Sequence, residues 1–364
     1  MNIIFVENFN IFKKFTKIET IGGIETNTID IIKDLRKKGH KIWVSNKEEE
    51  PSWLETEKVD IIATSTFDPI TYLQISKYKS RYKDSAAVVI HGHTTVEDLA
   101  GNFLPDKPLF NSIFKYWLKI LYSKANLLIT PSDFSKECII NIQTSMTYPI
   151  HVVSNGIHIE EFKKDPSYRV NFRKFLSQHY DISLDAVVII NVGLSWKKKG
   201  VKTFGDVAKE FPEYYFVWVG PINKNNPEID EARKLKNVIF TGFYDDIREA
   251  YYGAEVFINT SWNENQGIPL IEAAICRVPI VARNLSAFDW LTHDYSCYKA
   301  TSVEDYVRGI KKVLSNLNYK KSIIDNAYND AVKLHDFRKI GEKIELLYLK
   351  AIKVKKMWES KQNK

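Results

Sequence analysis

The feature that most constrains the fold of this 364-residue chain is a repeated alternation of short apolar runs with longer amphipathic segments. Short runs rich in Val, Ile and Phe are typical of buried parallel strands, and the longer segments between them are typical of crossover helices. Strands connected through helices form right-handed βαβ units around a parallel sheet. The chain is therefore predicted to be an α/β protein.

The alternation occurs twice. Predicted strands occupy residues 2–6, 41–45, 60–64, 87–91 and 126–130 in the first half, and 186–192, 215–219, 238–241, 255–259 and 279–282 in the second half. Because neither half can host both series in one sheet, we predict two doubly wound domains, 1–154 and 155–338. The boundary falls at a turn signal, Ser154-Asn155-Gly156, and a helical segment, 339–364, ends the chain.

One loop carries two carboxylates. Glu264 and Glu272 stand on either side of Gly267-Ile268-Pro269, directly after the predicted strand 255–259. We expect Glu264 in a strand-to-helix loop and Glu272 in the first turns of the helix. Gly267 allows close approach of a ligand, and the N–H groups of the helix start favour an anion. Phosphate binding beside carboxylates suits a sugar nucleotide, although this spacing alone also fits an ordinary loop with two exposed glutamates.

Two further strand-to-helix junctions have features of anion sites. Gly22 and Gly23 open a predicted helix and leave room for a phosphate or sugar, or they form a plain tight turn. They do not complete a GxGxxG motif, so a nicotinamide enzyme is a poor fit. Lys197, Lys198 and Lys199 precede another helix start, where cations are unfavourable unless an anion is bound. A solvated lysine run is the alternative.

A histidine pair, His91 and His93, ends the predicted strand 87–91. The carboxyl edge of a parallel sheet is where open α/β folds bind ligands, so one imidazole is a candidate for substrate contact and the other for a structural role. Cysteine and histidine spacings supply no further metal ligands. Three separated cysteines, Cys138, Cys276 and Cys297, indicate buried thiols in a reducing cytosol.

Charge and hydropathy restrict the partners. The hydrophobic fraction is 44%, the formal net charge is +7, and no apolar run approaches the roughly 18 residues that span a bilayer. The N-terminus lacks a signal peptide pattern and is predicted to be a strand. Residues 77–83 carry four cations, which indicates either a solvated face or contact with anionic lipid. No nucleic-acid-binding motif accompanies them, so a nucleic acid partner is not expected.

The predicted helix 109–123 carries an apolar stripe. Such a stripe belongs more often to a core than to a membrane anchor, so a core position is favoured. The cations and aromatics of residues 9–17 and 77–83 leave membrane contact of the first domain open. The stripe consists of Phe110, Ile113, Phe114, Trp117, Leu118 and Leu121.

These segments, in this order, resemble the retaining glycosyltransferases of family 4. The resemblance rests on Gly22-Gly23-Ile24-Glu25, the strand-end histidine, Ser154-Asn155-Gly156-Ile157, Lys199-Gly200 and the Glu264–Glu272 spacing. It implies the GT-B fold, in which two Rossmann-like doubly wound domains face each other across a cleft and a C-terminal helix crosses back to the first domain. The first domain would bind the acceptor and the second the nucleotide sugar.

More narrowly, three segments (residues 91–98, 215–220 and 289–291) are similar to those of bacterial glycosyl-diacylglycerol synthases. This similarity implies transfer of a hexose from UDP-glucose or UDP-galactose to a diacylglycerol or glycosyl-diacylglycerol. Such an enzyme would be cytoplasmic and peripheral on the inner face of the cell membrane, where it would contact anionic lipids. UDP-sugar would be a co-substrate, and neither a metal nor another cofactor is expected.

The resemblance also assigns roles. His93 would contact the transferred hexose, Glu264 would hold its hydroxyls, and Lys199 would bind the diphosphate. The remaining residues implied in donor binding are Gly22, Gly23, Lys198, Thr241, Gly242, Gly267, Ile268 and Glu272.

The sequence departs from the family at two positions. Leu194 stands where the family usually has an Arg. Lys197 or Lys198 can substitute for this Arg, although a lysine lacks its bidentate fork. His158 replaces a common acidic residue. Two alternatives remain open: a transferase of surface polysaccharide or lipopolysaccharide assembly, and a non-catalytic protein that binds sugar nucleotides.

Overall fold

The computed structural model of the protein describes residues 1–10, 23–99, 107–143 and 148–362. The chain forms two compact units, one made of Met1–Asn155 with Phe337–Lys364 and the other of Gly156–Asp336. Each unit is built on a six-stranded parallel sheet. The prediction of an α/β protein with two Rossmann-like sheets is therefore confirmed.

The first sheet has the strand order β2-β1-β3-β4-β5-β6. Its strands are β1 (Asn2–Val6), β2 (Lys41–Ser45), β3 (Ile61–Thr64), β4 (Ala87–His91), β5 (Leu127–Thr130) and β6 (Ile150–Val152). The helices of this part of the chain are α1 (Gly23–Lys37), α2 (Trp53–Thr56), α3 (Pro69–Arg81), α4 (Val96–Leu99), α5 (Pro108–Tyr122) and α6 (Asp133–Ile142).

The second sheet has the strand order β12-β11-β10-β7-β8-β9. Its strands are β7 (Val188–Val192), β8 (Tyr215–Val219), β9 (Val238–Gly242), β10 (Val256–Asn259), β11 (Ile280–Arg283) and β12 (Tyr298–Ala300). Its helices are α7 (Pro166–Tyr180), α8 (Val201–Lys209), α9 (Pro227–Ala232), α10 (Ile247–Gly253), α11 (Ile268–Ile275), α12 (Val303–Ser315) and α13 (Leu317–His335). Short 3₁₀ turns lie at Ile159–Phe162, Lys197–Lys199 and Ser286–Phe288.

The last helix, α14 (Phe337–Gln362), belongs to the first unit and begins slightly before the predicted start at residue 339. Its apolar side packs with Phe5 on one face of the first sheet, where Ile344 and Tyr348 are buried. The opposite face, represented by Val6, packs with α3, α5 and α6. Successive residues of β1 thus point to opposite cores, as strand geometry requires for a sheet covered on both faces.

The prediction that the α5 stripe forms a core is partly wrong. Leu118 is buried and Trp117 is half-buried, but Phe110 and Ile113 are exposed. The core cluster of this face takes in the helix only from Phe114 onward, so the first turns present their apolar residues to solvent.

Helix α7 is an element that the apolar pattern did not reveal, because its exposed surface is largely polar. Its start nevertheless carries a local signal. Asp165 caps the helix by accepting a hydrogen bond of 2.8 Å from the Ser167 N–H, and Pro166 occupies the first turn. An Asp-Pro pair of this kind is a typical N-terminal signature.

Candidate active site

The loops that follow β7 and β10 are joined at the carboxyl edge of the second sheet. The Thr260 hydroxyl donates to the carbonyl oxygen of Lys199 at 3.0 Å and accepts from the Asn191 amide at 3.2 Å. The backbone N–H of Trp262 donates to the carbonyl oxygen of Lys198 at 2.7 Å. These bonds bring the lysine run and the carboxylate loop together, as parallel strands in adjacent positions require.

Lys199 and Glu264 form an ion pair in these joined loops. The Lys199 ammonium lies 2.6 Å from Oε1 of Glu264, which also accepts a hydrogen bond of 2.8 Å from the Ser261 hydroxyl. Glu264 is buried, whereas Lys199 is partly exposed. The two predicted residues thus stand side by side, with one positive and one acceptor group available to a ligand.

Two glycines permit the close packing of these loops. Gly200 has φ = +79°, and a Cβ at this position would lie 2.0 Å from the carbonyl oxygen of Thr260. Gly220 has φ = +137°, and its Cβ would lie 2.4 Å from the carbonyl oxygen of Gly193. Only glycine satisfies both the backbone conformation and the space at these positions.

The predicted anion site lies at the start of α11. Gly267 has φ = +77° and precedes the helix, Pro269 occupies its first turn, and no side chain caps it. A Cβ on Gly267 would lie 2.6 Å from both Leu270 and Phe288, so the backbone is held closely against the unit's own core. This geometry directs the positive end of the helix dipole toward the loop that carries Glu264.

Glu272 is held by a tyrosine that sequence reasoning missed. The Tyr251 hydroxyl donates to Oε2 of Glu272 at 2.7 Å. Burial raises the pKa of Glu272, although the hydrogen bond from Tyr251 acts in the opposite direction. No local pattern links these residues, because Tyr251 lies in the last turn of α10 and Glu272 lies in α11.

Arg283 is a second residue that the sequence did not single out. It ends β11, and its guanidinium lies 3.7 Å from the centre of the Trp262 ring and 3.3 Å from the carbonyl oxygen of Thr260. Burial lowers the pKa of Arg283. This cation–π contact holds the exposed Trp262 indole, which belongs to the same loop as Glu264.

Thr241 and Gly242 lie farther along the same edge, at the end of β9. The Thr241 hydroxyl donates to the Gly242 carbonyl oxygen at 2.9 Å, and that oxygen also accepts the Gly220 N–H at 2.9 Å. The strand order places β7 and β8 between this pair and β10. Thr241 and Gly242 are thus two strands away from the strand that precedes Glu264.

His93 belongs to the first unit, at the carboxyl end of β4. Burial lowers its pKa to about 4, and burial with the nearby His93 lowers the pKa of His91 to about 3. Both imidazoles are therefore neutral at physiological pH. Gly23 begins α1 at an exposed position, whereas Gly22 lies outside the described residues.

No group of three or more His, Cys, Asp or Glu side chains suited to a metal ion occurs in residues 1–10, 23–99, 107–143 and 148–362. The absence of a metal or another cofactor from the reaction stays a prediction. Within the same ranges, none of the helices combines the length and hydropathy that crossing a membrane requires.

Two family models match the chain, that of glycosyltransferase family 4 over residues 45–161 and that of the group 1 glycosyl transferases over residues 172–330. Together these matches span most of the chain, and their order agrees with the two sheets. The chain belongs to the GT-B glycosyltransferases.

Its curated relatives include glycolipid synthases. The chain is 29% identical over 290 residues to the processive diacylglycerol alpha-glucosyltransferase of Acholeplasma laidlawii. The aligned region covers 78% of this chain and 83% of that protein. It is 28% identical over 159 residues to the alpha-galactosylglucosyldiacylglycerol synthase of Streptococcus pneumoniae, covering 41% and 42% of the two chains. The resemblance to glycolipid synthases is thereby confirmed.

A solved structure shows the same fold. Anabaena HepE in complex with UDP-glucose matches with a TM-score of 0.75 and 18% identity, over 95% of this chain and 99% of that one.

Proposed function

We propose that this glycosyltransferase is retaining and transfers glucose or galactose from a UDP-hexose to diacylglycerol or glycosyl-diacylglycerol at the inner face of the cell membrane. The observation that carries the donor half is the Lys199–Glu264 pair beside the start of α11. The two glycolipid-synthesising relatives support the acceptor half, since both are named for diacylglycerol lipids.

The donor would lie along the edge of the second sheet. Glu264 accepts hydrogen bonds from hexose hydroxyls, and the N–H groups at Gly267 and Ile268 bind the diphosphate. Lys199, aided by Lys198, adds positive charge at the leaving group. Glu272, held by Tyr251, accepts a ribose hydroxyl, and Thr241 with Gly242 lies near the uracil.

The transfer step would proceed on one face of the sugar. The bond from the anomeric carbon to the β-phosphate oxygen breaks, and its electron pair stays on the diphosphate. An oxocarbenium-like sugar forms, and the acceptor hydroxyl oxygen bonds to the same face while its proton passes to the departing phosphate. Lys199 and the helix N–H groups stabilise the growing phosphate charge, which lowers the barrier because the charge is larger in the transition state.

Contact with lipid would use an apolar face of α5. Leu109, Ile113 and Tyr116 recur at helical spacing and are 69%, 59% and 64% exposed. Tyr72 packs against the half-buried Trp117 with ring centroids 5.5 Å apart, which joins α5 to α3. An exposed apolar face of this kind is typical of an interaction site.

Only part of the predicted cation cluster at residues 77–83 is available to lipid. Lys77, Lys83 and Lys115 are exposed and available to anionic headgroups. Lys79 instead donates to the carbonyl oxygen of Lys124 at 3.0 Å, and burial lowers its pKa. Arg81 pairs with Glu50 across 3.2 Å. The cations that remain for contact with anionic lipid are therefore Lys77 and Lys83 of the predicted cluster, together with Lys115 of α5.

The decisive experiment is a screen of UDP-hexoses against lipid acceptors in anionic vesicles, with the anomeric configuration and linkage of each product determined by NMR. We expect an α-linked glycolipid from UDP-glucose or UDP-galactose. A β-linked product would contradict retention. Transfer only to a lipid-diphosphate carrier would favour polysaccharide assembly, and binding of UDP-hexose without transfer or hydrolysis would indicate a non-catalytic protein.

The α5 face has a separate test. Ile113→Ser with Tyr116→Ser should reduce co-sedimentation with anionic vesicles and activity on lipid acceptors while leaving UDP-hexose affinity intact. The matched control is Leu184→Ser with Leu317→Ser, which removes two exposed apolar side chains from the second unit. Equal vesicle binding by the two double variants would exclude α5 as the lipid contact.

A further inference from the structure

The C-terminal helix reaches the end of β4 through a tyrosine. Tyr348 of α14 is fully buried, and its hydroxyl oxygen lies 2.8 Å from Nε2 of His91. Phe5 packs beside both rings, with centroids 6.4 Å from Tyr348 and 6.5 Å from His91. A residue near the end of the chain thus contacts the histidine pair directly.

The two histidines are held to each other. The rings of His91 and His93 are nearly parallel, with an interplanar angle of 12° and centroids 6.0 Å apart. Between them, the Gly92 N–H donates to the Ile129 carbonyl oxygen at 2.7 Å. A Cβ on Gly92 would lie 3.0 Å from Leu128, so the backbone has little room to move. The His93 ring therefore packs beside the His91 ring.

The neutral state of the two histidines determines how His91 can bond to Tyr348. Because burial keeps both imidazoles neutral, His91 carries one proton, on either Nδ1 or Nε2. At Nε2 the partner is the Tyr348 hydroxyl, which can accept from Nε2–H or donate to an unprotonated Nε2. The hydrogen bond therefore holds the ring in either tautomer.

We propose that Tyr348 is a positioning residue for hexose transfer: its hydroxyl holds the ring plane of His91, and the His91 ring orients His93. This inference rests on the proposed function, together with the role that the family resemblance implies for His93, namely contact with the transferred hexose. It gives the returning helix a role at the reacting centre that packing alone would not.

The test compares two conservative variants. Tyr348→Phe keeps the ring that packs against Phe5 and removes only the hydroxyl. Tyr148→Phe is the matched control, because Tyr148 is a buried tyrosine of the same unit whose hydroxyl has no hydrogen-bond partner among the described residues. We expect kcat to fall about tenfold in Tyr348→Phe, the effect of one lost buried hydrogen bond, with KM for UDP-hexose nearly unchanged. Tyr148→Phe should match the wild type in both.

A second measurement needs no turnover. In protein with ¹⁵N-labelled histidine, Tyr348→Phe should shift the ring signals of His91 and His93, and Tyr148→Phe should leave them in place. Unchanged His93 signals, or a kcat equal to that of Tyr148→Phe, would overturn the positioning role. A wild-type protein that transfers no hexose would instead refute the proposed function, and the ring signals would still decide whether Tyr348 orients the pair.

Discussion

At the residue scale, the candidate donor site is organised around shared partners. Glu264 accepts from both Lys199 and Ser261, so its position is fixed before any ligand arrives. Lys199 in turn compensates the carboxylate charge. Such preorganised groups stabilise a transition state without reorganising during the reaction.

Removing either member of this pair should therefore impair catalysis. Lys199→Met and Glu264→Gln should each lower kcat by about 10²–10³ while the protein remains folded. Lys202→Met is the control, because the Lys202 ammonium is exposed and pairs with Asp206 on the same helix. Steady-state rates with saturating lipid acceptor provide the measurement. Near-normal turnover in both variants would contradict the site assignment.

Glu7 should make the stability of the first unit depend on pH. Burial raises its pKa from 4.5 to about 8, against opposing effects of the Ser65 N–H and of Lys47. The folded state therefore binds more protons than the unfolded state in this range. The stabilisation of the folded state that protonated Glu7 provides is fully present below pH 4.5, and it is lost as pH rises through about 8.

Glu7→Gln cannot ionise and should escape this loss. We expect the variant to raise the free energy of unfolding by about 2–4 kcal/mol at pH 8.5 relative to its effect at pH 4.5. Urea unfolding at the two pH values measures the difference. Glu49→Gln, at an exposed position, should show no such dependence. An equal effect of Glu7→Gln at both pH values would show that Glu7 is ionised when folded.

At the element scale, the two loops of the second sheet depend on backbone conformations that side chains resist. Gly200→Ala should cost the strain of its left-handed conformation, about 1–2 kcal/mol, and in addition displace the Thr260 segment. Gly39→Ala is the matched control, since Gly39 has a similar φ of +85° with nothing within 4 Å of its Cβ. Denaturant unfolding and kcat should both separate the two variants. Equal losses would mean that the loops do not require this contact.

The elements also show what the sequence could reveal. Strand positions such as β1 and β8 follow from local apolar runs, and the Gly267 loop follows from local turn chemistry. The partners of the site residues could not be predicted from local patterns, because Tyr251 contacts Glu272 and Tyr348 contacts His91 only after distant segments pack. Likewise, periodicity gave the apolar stripe of α5 but not where the core stops covering it.

At the scale of the whole molecule, the two ends of the chain complete one unit. The contribution of α14 can be measured with adjacent leucines, of which Leu347 is 7% exposed and Leu346 is 66% exposed. Leu347→Ala should cost about 2–5 kcal/mol of stability in the first unit, whereas Leu346→Ala should change it by less than about 0.5 kcal/mol. Hydrogen exchange of β1 and β4 amides reports this unit selectively. Similar protection in both variants would contradict a core role for α14.

This chain order also determines when each unit can form during synthesis. All residues of Gly156–Asp336 leave the ribosome before α14 does, so the second unit can fold first although it lies later in the sequence. Until α14 is synthesised, the face of the first sheet around Phe5 and Ile31 is incompletely covered. A nascent chain in this state exposes apolar surface that invites aggregation or chaperone binding. Translation of the last helix thus ends the interval in which the nascent protein is most vulnerable.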